Sequence, residues 1–154
     1  MTEATPYVSI LIVTYNSGAL AAQCFACVQA QTRRDFEVIV VDNASADGPP
    51  AMPADPRFRL IASDRNLGFA AGNNLAARHA RGTWLATLNP DAFAETDWLE
   101  QLVAAAERVP DATMAGSLQL SGRRDDRLDG AGDCYHAAGV AWRGLSNAPL
   151  ATAP

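Results

Sequence analysis

Four short polar groups of residues follow apolar runs in the sequence, and their side chains could bind an anionic ligand. In chain order they are Thr14, Tyr15 and Asn16; Asp42 and Asn43; Asp64, Arg65 and Asn66; and Asn89, Pro90 and Asp91. A carboxylate such as Asp42 can accept a hydrogen bond from the ring N–H of a pyrimidine, and the Tyr15 ring can stack on a base. A carboxylate such as Asp91 can hold a divalent cation, which usually bridges to phosphates. These residue types therefore predict a site for a pyrimidine nucleotide with its diphosphate.

The charge of the chain disfavours nucleic acid as a partner and means that an anionic ligand needs helix N-termini, backbone amides or a metal ion to bind. The net charge is −5 at pH 7, and the cationic side chains are arginines scattered along the chain without a basic stripe. Nucleic-acid binding normally needs such a stripe, so we expect no nucleic-acid partner. Because no lysine is present to neutralise a diphosphate, a divalent cation is expected to do so.

Glycine-rich nucleotide motifs are missing from the places where they would have to occur. A dinucleotide fingerprint needs G-x-G-x-x-G directly after a strand, but the first strand is followed by "TYNSG". The G-x-G at Gly130 and Gly132 lies outside any strand-to-helix context, and the sequence contains no P-loop. A nicotinamide enzyme and a P-loop protein are therefore disfavoured.

Cys24 and Cys27 form a C-x-x-C pair that, with Cys134 and His136, could suggest a zinc site. The pair falls in the middle of a predicted helix and lacks a second paired motif, whereas redox pairs of this kind usually open a helix. Free cysteine is also a common small buried residue. We therefore interpret Cys24 and Cys27 as helix core.

The polar groups must be positioned by alternating strands and helices. Apolar, β-rich runs predict strands, and periodic runs predict helices, one of them ending at a Gly82 cap. The predicted strands cover residues 8–13, 36–42, 58–62, 83–88 and 113–120, and the predicted helices cover residues 19–31, 70–81 and 96–109. This alternation predicts an α/β, Rossmann-like, mainly parallel sheet flanked by helices. Ligands of such sheets bind at the carboxyl ends of the strands, where all four polar groups fall.

The length of 154 residues is enough for one domain with a core, and the composition is that of a globular protein. The apolar runs are too short to cross a membrane, and the first residues lack the features of a secretory signal. We expect a cytoplasmic location, with a peripheral place at the inner membrane face as an alternative. From Ser121 the pattern becomes loop-like, which predicts a core over residues 1–120 and a tail over residues 121–154.

The stretches "VSILIVTYN", "VIVVDNASAD", "NLGFAAGNN" and "LNPDA" occur in the order and spacing found in family 2 of the glycosyltransferases. The chain most resembles the bacterial branch that includes rhamnosyltransferases, and the resemblance covers about residues 8–120. It implies a GT-A fold, a UDP- or dTDP-sugar donor, inversion at the sugar carbon, and Mg²⁺ or Mn²⁺. It also implies a glycan or lipid-linked acceptor and a role in cell-wall or polysaccharide biosynthesis. Under this resemblance, residues 1–120 form the nucleotide-sugar-binding core, and residues 121–154 form an incomplete acceptor-side segment or a tail.

The resemblance also implies which residues bind the nucleotide sugar. These are Thr14, Tyr15, Asn16, Asp42, Asn43, Asn66, Gly68, Asn73, Asn74, Asn89 and Asp91. Asp42 matches the carboxylate that reads the base, and Asn73 stands where many members have an arginine near the phosphates. Asn89-Pro90-Asp91 replaces the Asp-x-Asp of the family, so metal binding is expected to rest on Asp91.

The resemblance does not identify a catalytic base. Inverting transfer needs a general base to deprotonate the acceptor, and no residue after Asp91 matches the base of the family. The acidic candidates there are Asp125, Asp126, Asp129 and Asp133. We expect this chain alone to bind the donor but to transfer sugar poorly. The alternative is a truncated, non-catalytic domain that retains only sugar-nucleotide binding or the fold.

Overall fold

A computed structural model describes residues 5–109, 111, 113–122, 126–135 and 141–153. The chain divides into two compact units, Met1–Glu100 and Gln101–Pro154. Within the described residues, no helix is long and apolar enough to cross a membrane.

The first unit contains a four-stranded parallel sheet with the order β3-β2-β1-β4. Its elements are β1 (Val8–Thr14), α1 (Gly18–Gln29), β2 (Phe36–Asp42), β3 (Phe58–Ala62), α2 (Phe69–Ala77) and β4 (Trp84–Thr87), and α3 (Trp98–Glu107) begins at its end. Every pairing in this sheet is parallel, which confirms the predicted α/β class.

Strands β1 and β2 form the centre of the sheet, and every residue in them is buried. A parallel strand covered on both faces needs apolar side chains on both, so it appears in the sequence as a continuous run of Val, Ile and Leu. The two strands pair in register from Val8 opposite Phe36 to Thr14 opposite Asp42. The last residues of both strands therefore meet at the carboxyl edge of the sheet.

Helix α2 is shorter than the sequence predicted, because it ends at Ala77 and Gly82 is not its cap. The chain leaves the helix and runs to the start of β1, where the Gly82 N–H donates to Ser9 Oγ at 2.9 Å. A Cβ atom on Gly82 would lie 2.5 Å from the Ser9 backbone nitrogen. The glycine is therefore needed for close backbone packing rather than for helix termination.

Ser9, Glu37, Arg81 and Gly82 form a polar cluster at the amino edge of the sheet, here called the amino-edge cluster. The Glu37 carboxylate accepts from Ser9 Oγ at 2.8 Å, from the Arg81 N–H at 2.7 Å and from Arg81 Nε at 3.0 Å. Burial alone would raise the pKa of Glu37. The hydrogen bonds from Arg81 and Ser9 and the charge of Arg81 outweigh burial, so the pKa lies below its ordinary value of 4.5.

We expect Glu37→Gln to lower the free energy of unfolding by about 2 kcal/mol at pH 7, because the charged acceptor of these bonds is lost. Since the folded-state pKa of Glu37 is lowered, its stabilisation is present above pH 4.5 and is lost as the pH falls through the folded-state pKa. Urea unfolding at pH 7 and pH 3 should therefore show the variant and the wild type converging at low pH. Glu95→Gln, at an exposed position, is the control. An equal loss at both pH values would contradict the prediction.

The second unit contains short antiparallel strands, where the sequence predicted a loop-like tail. They are β5 (Leu118–Leu120), β6 (Leu128–Ala131), β7 (Asp133–Tyr135) and β8 (Ala141–Arg143), followed by a 3₁₀ turn at Leu150–Thr152. β5 pairs with β6, and β7 pairs with β8. Of the strand predicted over residues 113–120, only the last three residues form one, and it lies outside the parallel sheet. Strands of three or four residues are too short to show a periodic pattern.

Candidate functional site

The carboxyl ends of β1 and β2 bring Thr14 and Asp42 together. The two residues are paired in register, and Thr14 Oγ1 lies 3.3 Å from both Asp42 Oδ1 and the Val41 carbonyl oxygen. Both side chains are buried, and the exposed fraction of Asp42 is 4%. A buried carboxylate is stable only when donors satisfy it, so the donors around Asp42 determine its orientation.

Ser45 supplies most of these donors from the loop after β2. Its hydroxyl donates to Asp42 Oδ1 at 2.6 Å, and its backbone N–H donates to Asp42 Oδ2 at 3.3 Å. An ionised carboxylate offers about four acceptor positions. With the Thr14 hydroxyl, three of these positions have a donor within the protein.

The loops after β1 and β2 are joined by Asn16. Its backbone N–H donates to Ser45 Oγ at 2.9 Å, and its side-chain oxygen accepts from the Ala46 N–H at 2.8 Å. Asn16 and Ala44 both have positive φ angles, of 49° and 60°. Such conformations persist in residues other than glycine only where surrounding contacts hold them.

Asn43 links the end of β2 to the loop before α2. Its buried amide donates to Asn66 Oδ1 at 2.8 Å and to the Gly68 carbonyl at 3.4 Å, and its oxygen accepts from the Leu67 N–H at 2.8 Å. Asn66 Oδ1 also accepts from the Gly68 N–H at 2.9 Å. Gly68 has a φ of 79°, which favours glycine. Three predicted site residues therefore lie together and hold the start of α2: Asn43, Asn66 and Gly68.

Three other predicted residues differ in how free their side chains are. The Tyr15 side chain is 50% exposed, and Asn74 on α2 is also exposed. The Asn73 amide donates to the Phe69 carbonyl one turn earlier at 3.0 Å. Tyr15 and Asn74 therefore face solvent, as ligand contacts would, whereas Asn73 is partly engaged within its helix.

Asn89 and Asp91 lie in the turn after β4, where the Ala92 N–H donates to the Asn89 carbonyl at 3.0 Å. The same carbonyl accepts from Cys24 Sγ of α1 at 3.6 Å. Burial raises the pKa of the Cys24 thiol, and the nearby Cys27 and Asp91 raise it further by smaller amounts, to about 12. Among residues 5–109, the hydrogen bonds of the segment after β4 run to α1, to the Leu11 carbonyl of β1 and within the turn, not to Thr14 or Asp42.

The burial of Cys24 agrees with the interpretation of the C-x-x-C pair as helix core, whereas Cys27 is only partly buried. Cys24 lies within α1 and is fully buried. His136, the fourth member of the possible zinc set, lies outside the described residues.

The donor set of the turn fits a hard divalent cation. Asp91 is an exposed carboxylate, and Asn89 adds an exposed amide oxygen two residues before it. In the described part of the chain, no three His, Cys, Asp or Glu residues cluster as metal ligands. Mg²⁺ is commonly held by one or two carboxylates together with phosphate oxygens, which this turn and a diphosphate would provide.

A cleft of about 230 Å³ opens between the two strand-end loops. It is lined by Thr14, Ser17, Gly18, Ser45 and the segment 47–51. Ligand pockets usually measure about 300–1,000 Å³, so this cleft accommodates one ring-sized group rather than a whole nucleotide sugar. The sequence prediction missed Ser45 and the segment 47–51, although the Gly/Pro-rich stretch "NASADGPP" directly after a buried strand could have indicated them.

The sequence model of the protein family described as Glycosyl transferase family 2 matches residues 9–130 of the chain. The chain is 37% identical over 108 residues to the succinoglycan biosynthesis protein ExoO of Rhizobium meliloti (strain 1021), covering 68% of this chain and 31% of ExoO. It is 30% identical over 131 residues to the N-acetylglucosaminyl-diphospho-decaprenol L-rhamnosyltransferase of Mycobacterium tuberculosis (strain CDC 1551 / Oshkosh), covering 77% of this chain and 42% of the relative. The chain therefore spans less than half the length of these relatives.

Two solved structures share the fold. The mannosyltransferase PcManGT of Pyrobaculum calidifontis, in complex with GDP-Man and Mn²⁺, superposes with a TM-score of 0.59 at 25% identity, covering 79% of this chain and 37% of PcManGT. S. aureus TarS 1-349, in complex with UDP-GlcNAc, superposes with a TM-score of 0.56 at 18% identity, covering 74% of this chain and 38% of TarS. The parallel sheet and its helices thus have the GT-A fold that the sequence predicted.

Proposed function

This chain belongs to glycosyl transferase family 2, and from that membership we propose that it forms the donor-binding part of an inverting glycosyltransferase. The donor would be a UDP- or dTDP-sugar, and the acceptor a glycan or a lipid-linked glycan. Residues 1–120 would bind the donor, and residues 121–154 would form part of the acceptor side. A lipid-linked acceptor would place the enzyme at the cytoplasmic side of the inner membrane.

One observation carries this proposal: the Asp42 carboxylate is fixed at the junction of β1 and β2, next to a ring-sized cleft that Thr14 and Ser45 line. Donors of the protein occupy three of its acceptor positions, which leaves about one for the N–H of a bound ring. Uracil and thymine carry such an N–H between two carbonyls. The half-exposed Tyr15 ring supplies an aromatic face for the same base.

The diphosphate would bind at the turn after β4. Asp91, with the amide oxygen of Asn89, would hold Mg²⁺ or Mn²⁺, and the bound ion would neutralise the charge of the leaving diphosphate. Asn74, exposed on α2, would donate its amide to the ribose or the phosphates. The Asn43–Asn66 bridge would keep the start of α2 in place for this contact.

The identity of the base is the part of the proposal most open to test. TarS was solved with a uracil nucleotide and PcManGT with a guanine nucleotide, so proteins of this fold bind both kinds. We favour a pyrimidine because the cleft is only ring-sized and Asp42 matches a single ring N–H. Guanine also carries a ring N–H, so size is what would exclude it.

In the presence of Mn²⁺, we expect calorimetry to show tighter binding of UDP or dTDP than of GDP or ADP. Asp42→Ala should remove the preference over ADP, whose base lacks a ring N–H for the carboxylate, because an unpaired ring N–H costs about 1–3 kcal/mol. Asp35→Ala is the matched control, since Asp35 is an exposed carboxylate just before the opposite end of the same strand. Equal wild-type affinity for UDP, dTDP and ADP would refute the proposed pyrimidine site.

A second candidate is a domain that binds the nucleotide sugar without transferring it. The second unit favours it in one respect: Asp129, a candidate base, forms an ion pair with Arg143. A base must be free to accept the proton of the acceptor hydroxyl, and a paired arginine opposes that. Asp125 lies outside the described residues. Transfer of labelled sugar to a glycan or lipid-linked acceptor by this chain would exclude the second candidate.

A further inference from the structure

We propose that Ser45 is a positioning residue that fixes the orientation of the Asp42 carboxylate for recognition of the donor base. The inference rests on the proposed function, in which Asp42 reads the base. Ser45 is not among the residues that the sequence predicted for the site. It joins the two strand ends, because its hydroxyl contacts both Asp42 and Asn16.

The hydrogen-bond geometry settles the direction of the Ser45 hydroxyl. A hydroxyl has one proton to donate, and the Asn16 N–H at 2.9 Å can only donate, so Ser45 Oγ is the acceptor there. The hydroxyl proton therefore goes to Asp42 Oδ1 at 2.6 Å, a length typical of a charge-assisted bond. No alternative rotation of the hydroxyl satisfies both partners.

Ser45 also contacts Asp42 through its backbone. Its N–H donates to Asp42 Oδ2 at 3.3 Å, so that both oxygens of the carboxylate are held by one residue. Its carbonyl accepts from the Gly48 N–H at 3.2 Å, which closes the loop beside the cleft. Ser45 is thus fixed on the loop side as well as on the carboxylate side.

Thr14 is the remaining side-chain donor to Asp42, and it is too weak to hold the carboxylate alone. Its hydroxyl lies 3.3 Å from Asp42 Oδ1 and equally far from the Val41 carbonyl, so its single proton is shared between two acceptors. Without the Ser45 hydroxyl, Oδ1 would keep only this long contact. The carboxylate would then populate more than one rotamer, and the acceptor position for the base would no longer be preorganised.

The same hydroxyl joins the two loops that contain Asn16 and Ala44. Both residues have positive φ angles, and the Ser45–Asn16 bond connects the loops in which they lie. Asn16 returns the contact by accepting from the Ala46 N–H at 2.8 Å. Loss of the hydroxyl should therefore release Asn16, although the loop residues themselves are unchanged.

The first experiment needs no nucleotide. Side-chain scalar couplings measured by NMR should show one χ1 rotamer for Asp42 in the wild type and averaged rotamers in Ser45→Ala. Amide exchange at Asn16 should accelerate at least about tenfold in Ser45→Ala, since its N–H loses its acceptor. Ser45→Thr, which keeps a hydroxyl, should restore both values. Ser63→Ala is the matched control, because the Ser63 hydroxyl donates locally to the Arg65 carbonyl at 2.7 Å.

The second experiment measures nucleotide preference by calorimetry with Mn²⁺. Ser45→Ala should reduce the preference for UDP over ADP about tenfold, with Ser45→Thr close to the wild type and Ser63→Ala unchanged. A single Asp42 rotamer in Ser45→Ala, or an unchanged preference despite rotamer averaging, would overturn the inference. A wild type without any nucleotide preference would instead overturn the proposed function. The rotamer measurement uses no nucleotide, so the two failures can be told apart.

Discussion

Replacing Asp91 with asparagine should abolish metal-dependent binding of UDP and dTDP, with a loss of affinity of at least about 100-fold in the presence of Mn²⁺. Removing a residue that merely supports a metal ligand commonly costs about 10–100-fold, and Asp91 is the one carboxylate of its turn. Because Asp91 is exposed, the free energy of unfolding should stay within about 0.5 kcal/mol of the wild type.

Calorimetry with Mn²⁺ and with a chelator would measure this effect. The chain also offers a variant with the opposite expected result. Asn89→Asp would create the Asp-x-Asp that the family resemblance implies, so Mn²⁺ should bind more tightly, as electron paramagnetic resonance of the free ion would show. If Asp91→Asn kept the Mn²⁺ dependence of the wild type, the metal would have to bind elsewhere.

Replacing Gly82 with alanine should lower the free energy of unfolding by about 3 kcal/mol or more. The new Cβ would lie 2.5 Å from the Ser9 nitrogen and 2.7 Å from the Val8 carbonyl carbon, and backbone atoms cannot move aside as a side-chain end can. Relief of the clash would also pull the Gly82 N–H away from Ser9 Oγ, and so disturb the buried Glu37.

Urea unfolding of Gly82→Ala beside Gly116→Ala provides the comparison. A Cβ on Gly116 would meet open space, and its φ angle is not positive, so this variant should be as stable as the wild type or slightly more stable. Similar unfolding curves for the two variants would show that the segment between α2 and β4 adapts, and that the Gly82 contact is not a constraint.

The central strands were predictable because strands buried on both faces consist of continuous apolar runs, which the sequence shows directly. The prediction for β2 agrees with the observed Phe36–Asp42 at both ends, since a strand buried on both faces requires an unbroken apolar run. The position of Asp42 at the end of that run also followed from the sequence. The structure confirms that Thr14 and Asp42 end their strands side by side.

The end of α2 could not be predicted from local patterns. The sequence continues with good helix formers to Arg81, and Gly82 resembles a cap, yet the helix ends at Ala77. After the helix the chain runs to Gly82, whose N–H donates to Ser9, more than seventy positions away in sequence. Tertiary contacts of this kind override helix propensity, which is a weak signal.

Ser45 was not predicted as a site residue, because its contacts with Asp42 and Asn16 are tertiary contacts. A serine in a polar loop is usually a turn residue, and nothing in the stretch "NASADGPP" shows that its hydroxyl reaches back to Asp42 and across to Asn16. The role of Asn43 was likewise visible only in three dimensions. The assignment of Asn43 and Asn74 to the nucleotide sugar stays a prediction, and the contacts within the protein give Asn43 a further role in holding α2.

Strands β1 and β2 each carry a buried polar residue near their start and another at their end: Ser9 and Glu37 in the amino-edge cluster, and Thr14 and Asp42 at the carboxyl edge. The amino-edge cluster, which holds β1 and β2 to the segment before β4, is therefore separated from the Thr14–Asp42 pair by the length of a strand. For protein engineering, this separation means that side chains in the loop 46–51 can be changed without touching the amino-edge cluster. For evolution, it offers a route by which relatives could exchange donor bases while inheriting the same sheet.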